Sequence, residues 1–205
     1  MNKIFQNKKI LLASQSPRRH SLIKKLIVDF DTINPSFEEK LKSNIYTDEK
    51  IESLSLQKAL SVLNNNTNDK NPLENCLIIS ADTVVVLDNV ILGKPKDEKN
   101  AYEMLSALSG KKHFVVTALT VLDADTKKVF SDIVKTYVTF CNLSEELIKN
   151  YIKEKKPLDK AGSYGIQEMG PEFIKNVDGD LENVIGLPTN ALRELLIKAG
   201  YTFIK

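Results

Sequence analysis

Cysteine, histidine and long apolar runs are all scarce in this chain. Its 205 residues include two cysteines, Cys76 and Cys141. They make no disulfide framework and no C-x-x-C metal or redox pair, so a reducing, cytoplasmic setting is expected. Both lie in or beside apolar runs, where a free thiol behaves as a small hydrophobe. The two histidines, His20 and His113, stand far apart with no motif around either, and neither is assigned a catalytic role. After the N-terminal lysines the apolar run covers only 10–13. That is too short for a signal-peptide core, and nothing approaches a membrane span. Charge of one sign is lacking as well. Lys and Arg number 29 against 27 Asp and Glu, a net charge of +2, too mild to argue for nucleic acid or a membrane as partner. There is no internal repeat and no low-complexity tail.

What remains is the composition of one globular domain spanning 1–205, 42% hydrophobic and 27% charged, large enough to bury a sizeable core. Residues 10–22 read I-L-L-A-S-Q-S-P-R-R-H-S-L. A buried strand stops at Ser14, Ser16 has the chemistry of an N-cap, and Pro17 suits the first position of a helix over 17–26. Arg18 and Arg19 then fall in the first turn, where the helix dipole disfavours cations. They make sense where an anion with several charges sits over the turn, because guanidinium forks bind phosphate bidentately. A solvated basic helix start is the plainer alternative.

Residues 30–33 alternate like a short strand, and Pro35 ends it. The loop that follows carries adjacent carboxylates, Glu38 and Glu39. They matter only where that loop lies against the phosphate site and a divalent cation needs oxygen ligands. A helix over 47–63 places Lys58 between Leu54 and Val62 at i±4, on the apolar stripe. Spacing alone favours a snorkelling stem at the core edge over a lysine aimed into a cleft. The asparagine-heavy stretch 64–75 reads as an exposed connection.

Residues 76–87, C-L-I-I-S-A-D-T-V-V-V-L, have the pattern of a central strand covered on both faces. Asp82 and Thr83 interrupt it in the middle. An unpartnered carboxylate there would cost several kcal/mol, so Asp82 is salt-bridged, metal-bound or at the edge of a cleft. Asp88-Asn89 reads as a hairpin turn returning through 90–92, which brings Lys94 beside Asp82. A helix capped by Asp97 runs to 108, with Gly110 just past its end. Long strands at 113–123 and 129–140 form an antiparallel pair at or near a sheet edge, and a short helix covers 144–153.

Five of the eight glycines fall between Gly162 and Gly186, where backbone can approach a ligand closely. In that loop Gln167 offers an acceptor and a two-hydrogen donor, the equipment for reading a base edge. Segments 172–177 and 181–185 read as a hairpin about Asp178-Gly179, and a helix over 189–199 is closed by Gly200.

Taken together, S-Q-S-P-R-R (14–19), S-A-D-T-V (80–84), G-K-P (93–95) and D-K-A-G-S-Y-G-I-Q (159–167) resemble the Maf-like nucleoside triphosphate pyrophosphatases, with G-L-P (186–188) and the stretch from Ser109-Gly110 through His113 to Thr117 fitting as well. The match runs in order over nearly the full length. It implies an α/β fold: an elongated mixed sheet flanked by helices, with two lobes around a nucleotide cleft. It also implies a cytoplasmic homodimer that uses a divalent cation, Mg²⁺ or Mn²⁺, to cleave a nucleoside triphosphate to monophosphate and pyrophosphate. The D-K-A-G-S-Y-G-I-Q stretch resembles the branch acting on dTTP, UTP and modified pyrimidine nucleotides, with a family role in clearing non-standard nucleotides and a link to septum formation. By motif, Asp82 corresponds to the proton acceptor. Arg18, Thr83 and Gln167 match the positions associated with substrate preference, and Ser14, Arg19, Glu39, Lys58 and Lys94 align with polar pocket residues. Metal ligands stay unassigned, because Asp82 suits either general base or ligand. The chain departs at Glu168, where the pyrimidine branch commonly has glycine. Two other readings remain: a nucleotide-binding regulator of cell division without essential hydrolysis, and a purine-directed pyrophosphatase of the inosine- or xanthosine-triphosphate type, against which Gln167 argues.

Overall fold

Two strands dense in apolar residues organise the chain. In the computed structural model, which describes residues 8–37, 43–66 and 73–203, β3 (Cys76–Leu87) and β5 (Lys112–Asp123) pair antiparallel from Leu77–Asp123 to Val86–Phe114. Both are buried along almost their whole length, as expected of strands covered on two faces. Towards one edge lie β1 (Lys9–Ala13) and β2 (Asp31–Ile33), parallel to β3 and to β1 respectively. Towards the other lie β6 (Val129–Phe140) and β7 (Ile174–Asp178), both antiparallel to their neighbours. The order is β2-β1-β3-β5-β6-β7, with β4 (Val90–Leu92) hydrogen-bonded to β3 beside this path.

Alternation along β3 decides what each face meets. Ile78, Val84 and Val86 pack under the long helix α2 (Asp48–Asn66) through Ile51, Leu54, Ala59 and Val62. Leu77, Ile79 and Ala81 pack on the opposite face against α1 (Pro17–Ile23) and α6 (Thr189–Lys198). Farther along that second face, Val85 and Leu87 meet α3 (Glu98–Leu108) and α4 (Glu145–Lys155). The result is a mixed sheet with helices in two packs on one side, the two-lobed α/β arrangement expected. Among the described residues no helix is long and apolar enough to cross a membrane.

One feature of the pairing opens the molecule. On one side β3 is paired with β1 as far as Ile79 and with β4 from Val85 onward. Among the described residues no strand pairs with 80–84 on that side, and Asp82 and Thr83 lie in this stretch. The turn between β3 and β4 has positive φ at Asp88 (49°) and Asn89 (65°), the type I′ geometry expected of the hairpin.

Some expectations fail for identifiable reasons. Segments 172–177 and 181–185 are not a hairpin. Only Gly179 has positive φ (128°) where a type I′ turn needs two such residues. Asp180 instead accepts from the Glu182 N–H and caps a short helix, α5 (Leu181–Ile185), while β7 completes the open edge of β6. Helix α1 stops at Ile23, and α2 continues to Asn66, into the asparagine stretch. The pair β5–β6 lies near one edge as expected, with only β7 outside it in the described sheet.

Candidate active site

This stretch of β3 opens into a cleft with two connected ends. One is a cavity of about 350 Å³ lined by Asp82, Thr83, Tyr164, Gln167 and the apolar Val85, Val115, Val184 and Ile185. The other, about 390 Å³, is lined by the turn Ala13 to Arg19 with Asn34, Pro35 and Phe37. Ser16, Arg18, Arg19, Lys58, Lys94 and Asp159 border both ends, so the positive charge is concentrated where they join.

The opening turn is built as its residues dictate. Ser16 is extended (φ −70°, ψ 116°), its hydroxyl faces the Arg19 N–H, and Pro17 takes the first helical position. Ser14 is buried, and its hydroxyl accepts from the Ser16 N–H at 3.1 Å, so it holds the turn together. With seven residues α1 has little macrodipole, so the side-chain cations supply the charge. The two arginines diverge. Arg18 reaches across the cleft and donates to Asp159 Oδ2 at 3.1 Å. Arg19 turns inward, with Nε donating to the Gly186 carbonyl at 2.8 Å and Nη2 to Thr83 Oγ1 at 2.9 Å.

Asp82 and Thr83 are adjacent and therefore face opposite sides of the sheet. Asp82, 4% exposed, points to the α2 face and forms an ion pair with Lys58, itself 7% exposed. Lys58 is thus not a stem at the core edge. It is a buried cation matched to a buried carboxylate, the condition under which either is tolerated there. Lys94, expected beside Asp82 from the hairpin count, is exposed and borders the same cavity as Asp82. The β4 pairing ends at Leu92, and the strand alternation hands Asp82 to α2.

Three short 3₁₀ turns, Pro157–Asp159, Ala161–Ser163 and Ile166–Glu168, form the opposite wall. Gly162 has φ 65°, and a Cβ there would lie 2.8 Å from Val85 Cγ2, so glycine lets this wall close on β3. Lys160 is buried and bridges Asp159 (2.8 Å) and Glu168 (3.3 Å). Burial pushes the Asp159 carboxyl up, but the hydrogen bonds and charges of Lys160 and Arg18 outweigh it and hold the group below its ordinary value. Behind the wall, His113 (2% exposed) is 2.8 Å from the Tyr164 hydroxyl, and burial pushes its pKa down to about 4.

This geometry agrees with what the whole sequence matches. The pattern of the Maf-like protein family covers residues 9–199. The chain belongs to that family. It is 43% identical over 196 residues to a dTTP/UTP pyrophosphatase of Bacillus velezensis, covering 94% of this chain and 99% of the relative. A dTTP/UTP pyrophosphatase of Thermosipho africanus is 43% identical over 194 residues, 94% of each chain. One from Clostridium beijerinckii is 41% identical over 190 residues, 92% of this chain and 97% of the relative.

Of the residues singled out in this Maf-like sequence, Arg18, Arg19, Lys58, Asp82, Thr83, Lys94 and Gln167 all border the first cavity. Ser14 borders the second. Glu39 lies outside the described residues. Gln167 is exposed on its turn at the cavity rim. Sequence reasoning on single residues passed over Asp159, Lys160 and Tyr164. Their only signal was membership of the D-K-A-G-S-Y-G-I-Q stretch, because their partners Arg18 and His113 are 141 and 51 residues away.

Proposed function

We propose that this chain hydrolyses dTTP, UTP and modified pyrimidine nucleoside triphosphates to the monophosphate and pyrophosphate. The observation that carries this reading is a buried carboxylate, Asp82, in the middle of the central strand, with Lys58 against it and Arg18, Arg19 and Lys94 bordering the same cleft. The relatives reported above are named dTTP/UTP pyrophosphatases. The same reading has the protein act in the cytoplasm as a homodimer of single-domain chains.

In this scheme Asp82 accepts a proton from the water that attacks the α-phosphorus. The water oxygen forms the new P–O bond as the bond from the α-phosphorus to the bridging oxygen breaks. Pyrophosphate leaves with that electron pair, and Arg18, Arg19 and Lys94 meet the charge it gathers. Lys58 offsets the burial of Asp82 and fixes its orientation. Arg18, Thr83 and Gln167 set substrate preference. The Gln167 amide, with one donor and one acceptor side, complements the imide edge of uracil or thymine.

Among the described residues no three His, Cys, Asp or Glu side chains gather as a metal cage. The site nevertheless fits a Mg²⁺-type ion, which commonly takes one or two carboxylates and completes its shell with substrate phosphates and water. Asp82 is the residue that would hold it, in place of acting as the proton acceptor. Such an ion supplies charge neutralisation on the phosphate oxygens.

A panel of nucleoside triphosphates with Mg²⁺ or Mn²⁺, assayed for pyrophosphate and orthophosphate separately, tests the reading. The expected outcome is pyrophosphate from dTTP and UTP, reduced about 10²–10⁴-fold in Asp82→Asn. Orthophosphate release, or near-normal turnover in that variant, rejects it. Nucleotide binding without hydrolysis would favour the regulator, and preference for ITP or XTP the purine-directed enzyme.

A further inference from the structure

Thr83 and Thr117 stand opposite each other in the β3–β5 pair. Thr117 is fully buried and lies behind the cleft wall. Its hydroxyl is 3.2 Å from the main-chain carbonyl of Asn183 in α5. That carbonyl is an orphan of a short helix end: the Leu187 N–H, four residues on, bonds to Glu182 instead. A carbonyl can only accept, so the Thr117 proton is committed there. The 2.9 Å contact between the two threonine hydroxyls then uses the Thr83 proton, since the reverse direction would take the Thr117 proton from the buried Asn183 carbonyl and send that of Thr83 to the longer 3.4 Å contact with Gly186. Thr83 in turn receives Arg19 Nη2–H at 2.9 Å. The bonds therefore run one way, from Arg19 to Thr83 to Thr117 to Asn183, and Thr83 faces the cleft with a lone pair.

The far end of this chain is anchored. Asn183 is fully buried, and its side-chain amide donates to the Val115 carbonyl at 3.0 Å and to Thr136 Oγ1 at 2.9 Å. These bonds pin α5 to β5 and β6, so the acceptor that orders the chain does not move with the cleft. Removing the Thr117 hydroxyl leaves Thr83 the Gly186 carbonyl, 3.4 Å away and already occupied by Arg19 Nε. The Thr83 proton would then turn to the second lone pair of that carbonyl, and the Thr83 oxygen that accepts from Arg19 Nη2 would lose its fixed direction.

We infer that Thr117 is a positioning residue: through the direction of this hydrogen-bond chain it sets the Thr83 hydroxyl and the Arg19 guanidinium in the cleft. Its effect on turnover rests on the pyrophosphatase reading; its effect on Arg19 does not.

Thr117→Val keeps the branched shape and deletes the hydroxyl, whereas Thr117→Ser keeps the hydroxyl and loses a methyl. A packing role predicts that the valine variant is the better enzyme. The positioning role predicts the reverse. The valine variant should lose about a hundredfold in kcat/KM for dTTP, the scale of a small misplacement in a reacting complex, with both kcat and KM changed, while serine restores most of it. The second readout needs no substrate. The Arg19 Nε–H resonance, assigned by its loss in Arg19→Lys, should exchange slowly with water in the parent and in Thr117→Ser, and rapidly in Thr117→Val. Absence of pyrophosphate release by the parent would remove the functional reading and leave this resonance test standing. Parent-like Arg19 exchange in the valine variant, or valine turning over as well as serine, overturns the inference. So does loss of the fold in both Thr117→Val and Thr117→Ala, which would make Thr117 structural.

Discussion

Lys58→Met strips the ammonium from the Asp82 pair while keeping an unbranched side chain to fill the space between Leu54 and Val62. The pair is almost fully buried, with 7% and 4% exposure, so the remaining carboxylate has little water to turn to. Removing one partner of such a pair costs about 3–5 kcal/mol. For a chain of this size each kcal/mol lowers Tm by about 2–4 °C, giving a drop of about 6–20 °C. The cause is the stranded charge and not lost packing, so adding Asp82→Asn should recover part of the loss. Urea unfolding of parent, both single variants and the double variant closes the cycle, with an expected coupling of at least about 1 kcal/mol. Both single variants should also lose pyrophosphate release, since the carboxylate is mispositioned in one and absent in the other. Additive stabilities, within about 0.5 kcal/mol, would show that the two groups do not sense each other and would refute the argument from burial.

Two further outcomes follow from buried groups near the cleft. Burial holds His113 at about 4, against about 6.5 in an unfolded chain. The unfolded state binds the extra proton between those values, so stability should be intact above pH 6.5 and fall by about 1.4 kcal/mol per unit below it, about 3 kcal/mol in all by pH 4. Urea midpoints across that window should flatten in His113→Phe; an unchanged slope would remove His113 as the cause. Gly162→Ala forces a Cβ to within 2.8 Å of Val85 Cγ2 at φ 65°. It should cost about 1–3 kcal/mol in thermal unfolding and lower turnover, because the wall carrying Gln167 is displaced from β3.

Much of the fold was legible because its signals are local. The limits of β3 at Cys76 and Leu87, the Ser16 and Asp97 caps and the Asp88-Asn89 turn depend on a residue and its near neighbours. Where two local signals competed, the reading failed. Asp178-Gly179 suggested a hairpin, but Asp180 as a cap and the open edge of β6 decided for a helix and a separate strand. The site was legible as a set of residues and much less as a set of contacts. Lys58 looked like an ordinary amphipathic stem, since helical spacing shows which stripe a residue occupies and not what lies opposite. The hairpin count brings Lys94 to the same cavity as Asp82, but it does not show that alternation turns Asp82 to Lys58.

The sequence by itself determined that a carboxylate and a threonine interrupt a buried strand, that two arginines follow a capped turn, and that a glycine-rich stretch carries Gln167. These are properties of side-chain chemistry and short spacing. Only the tertiary structure decided how they meet. Among the described residues the strand pairing beside β3 breaks off at 80–84 between β1 and β4, which opens a cleft where the strand pattern alone implies continuous burial. Strand alternation then sends Asp82 to Lys58 and Thr83 to Arg19, Thr117 and Gly186. Those partners lie 24 to 103 residues away from them, and contacts at such separation are set by the packing of whole elements, which no local pattern encodes.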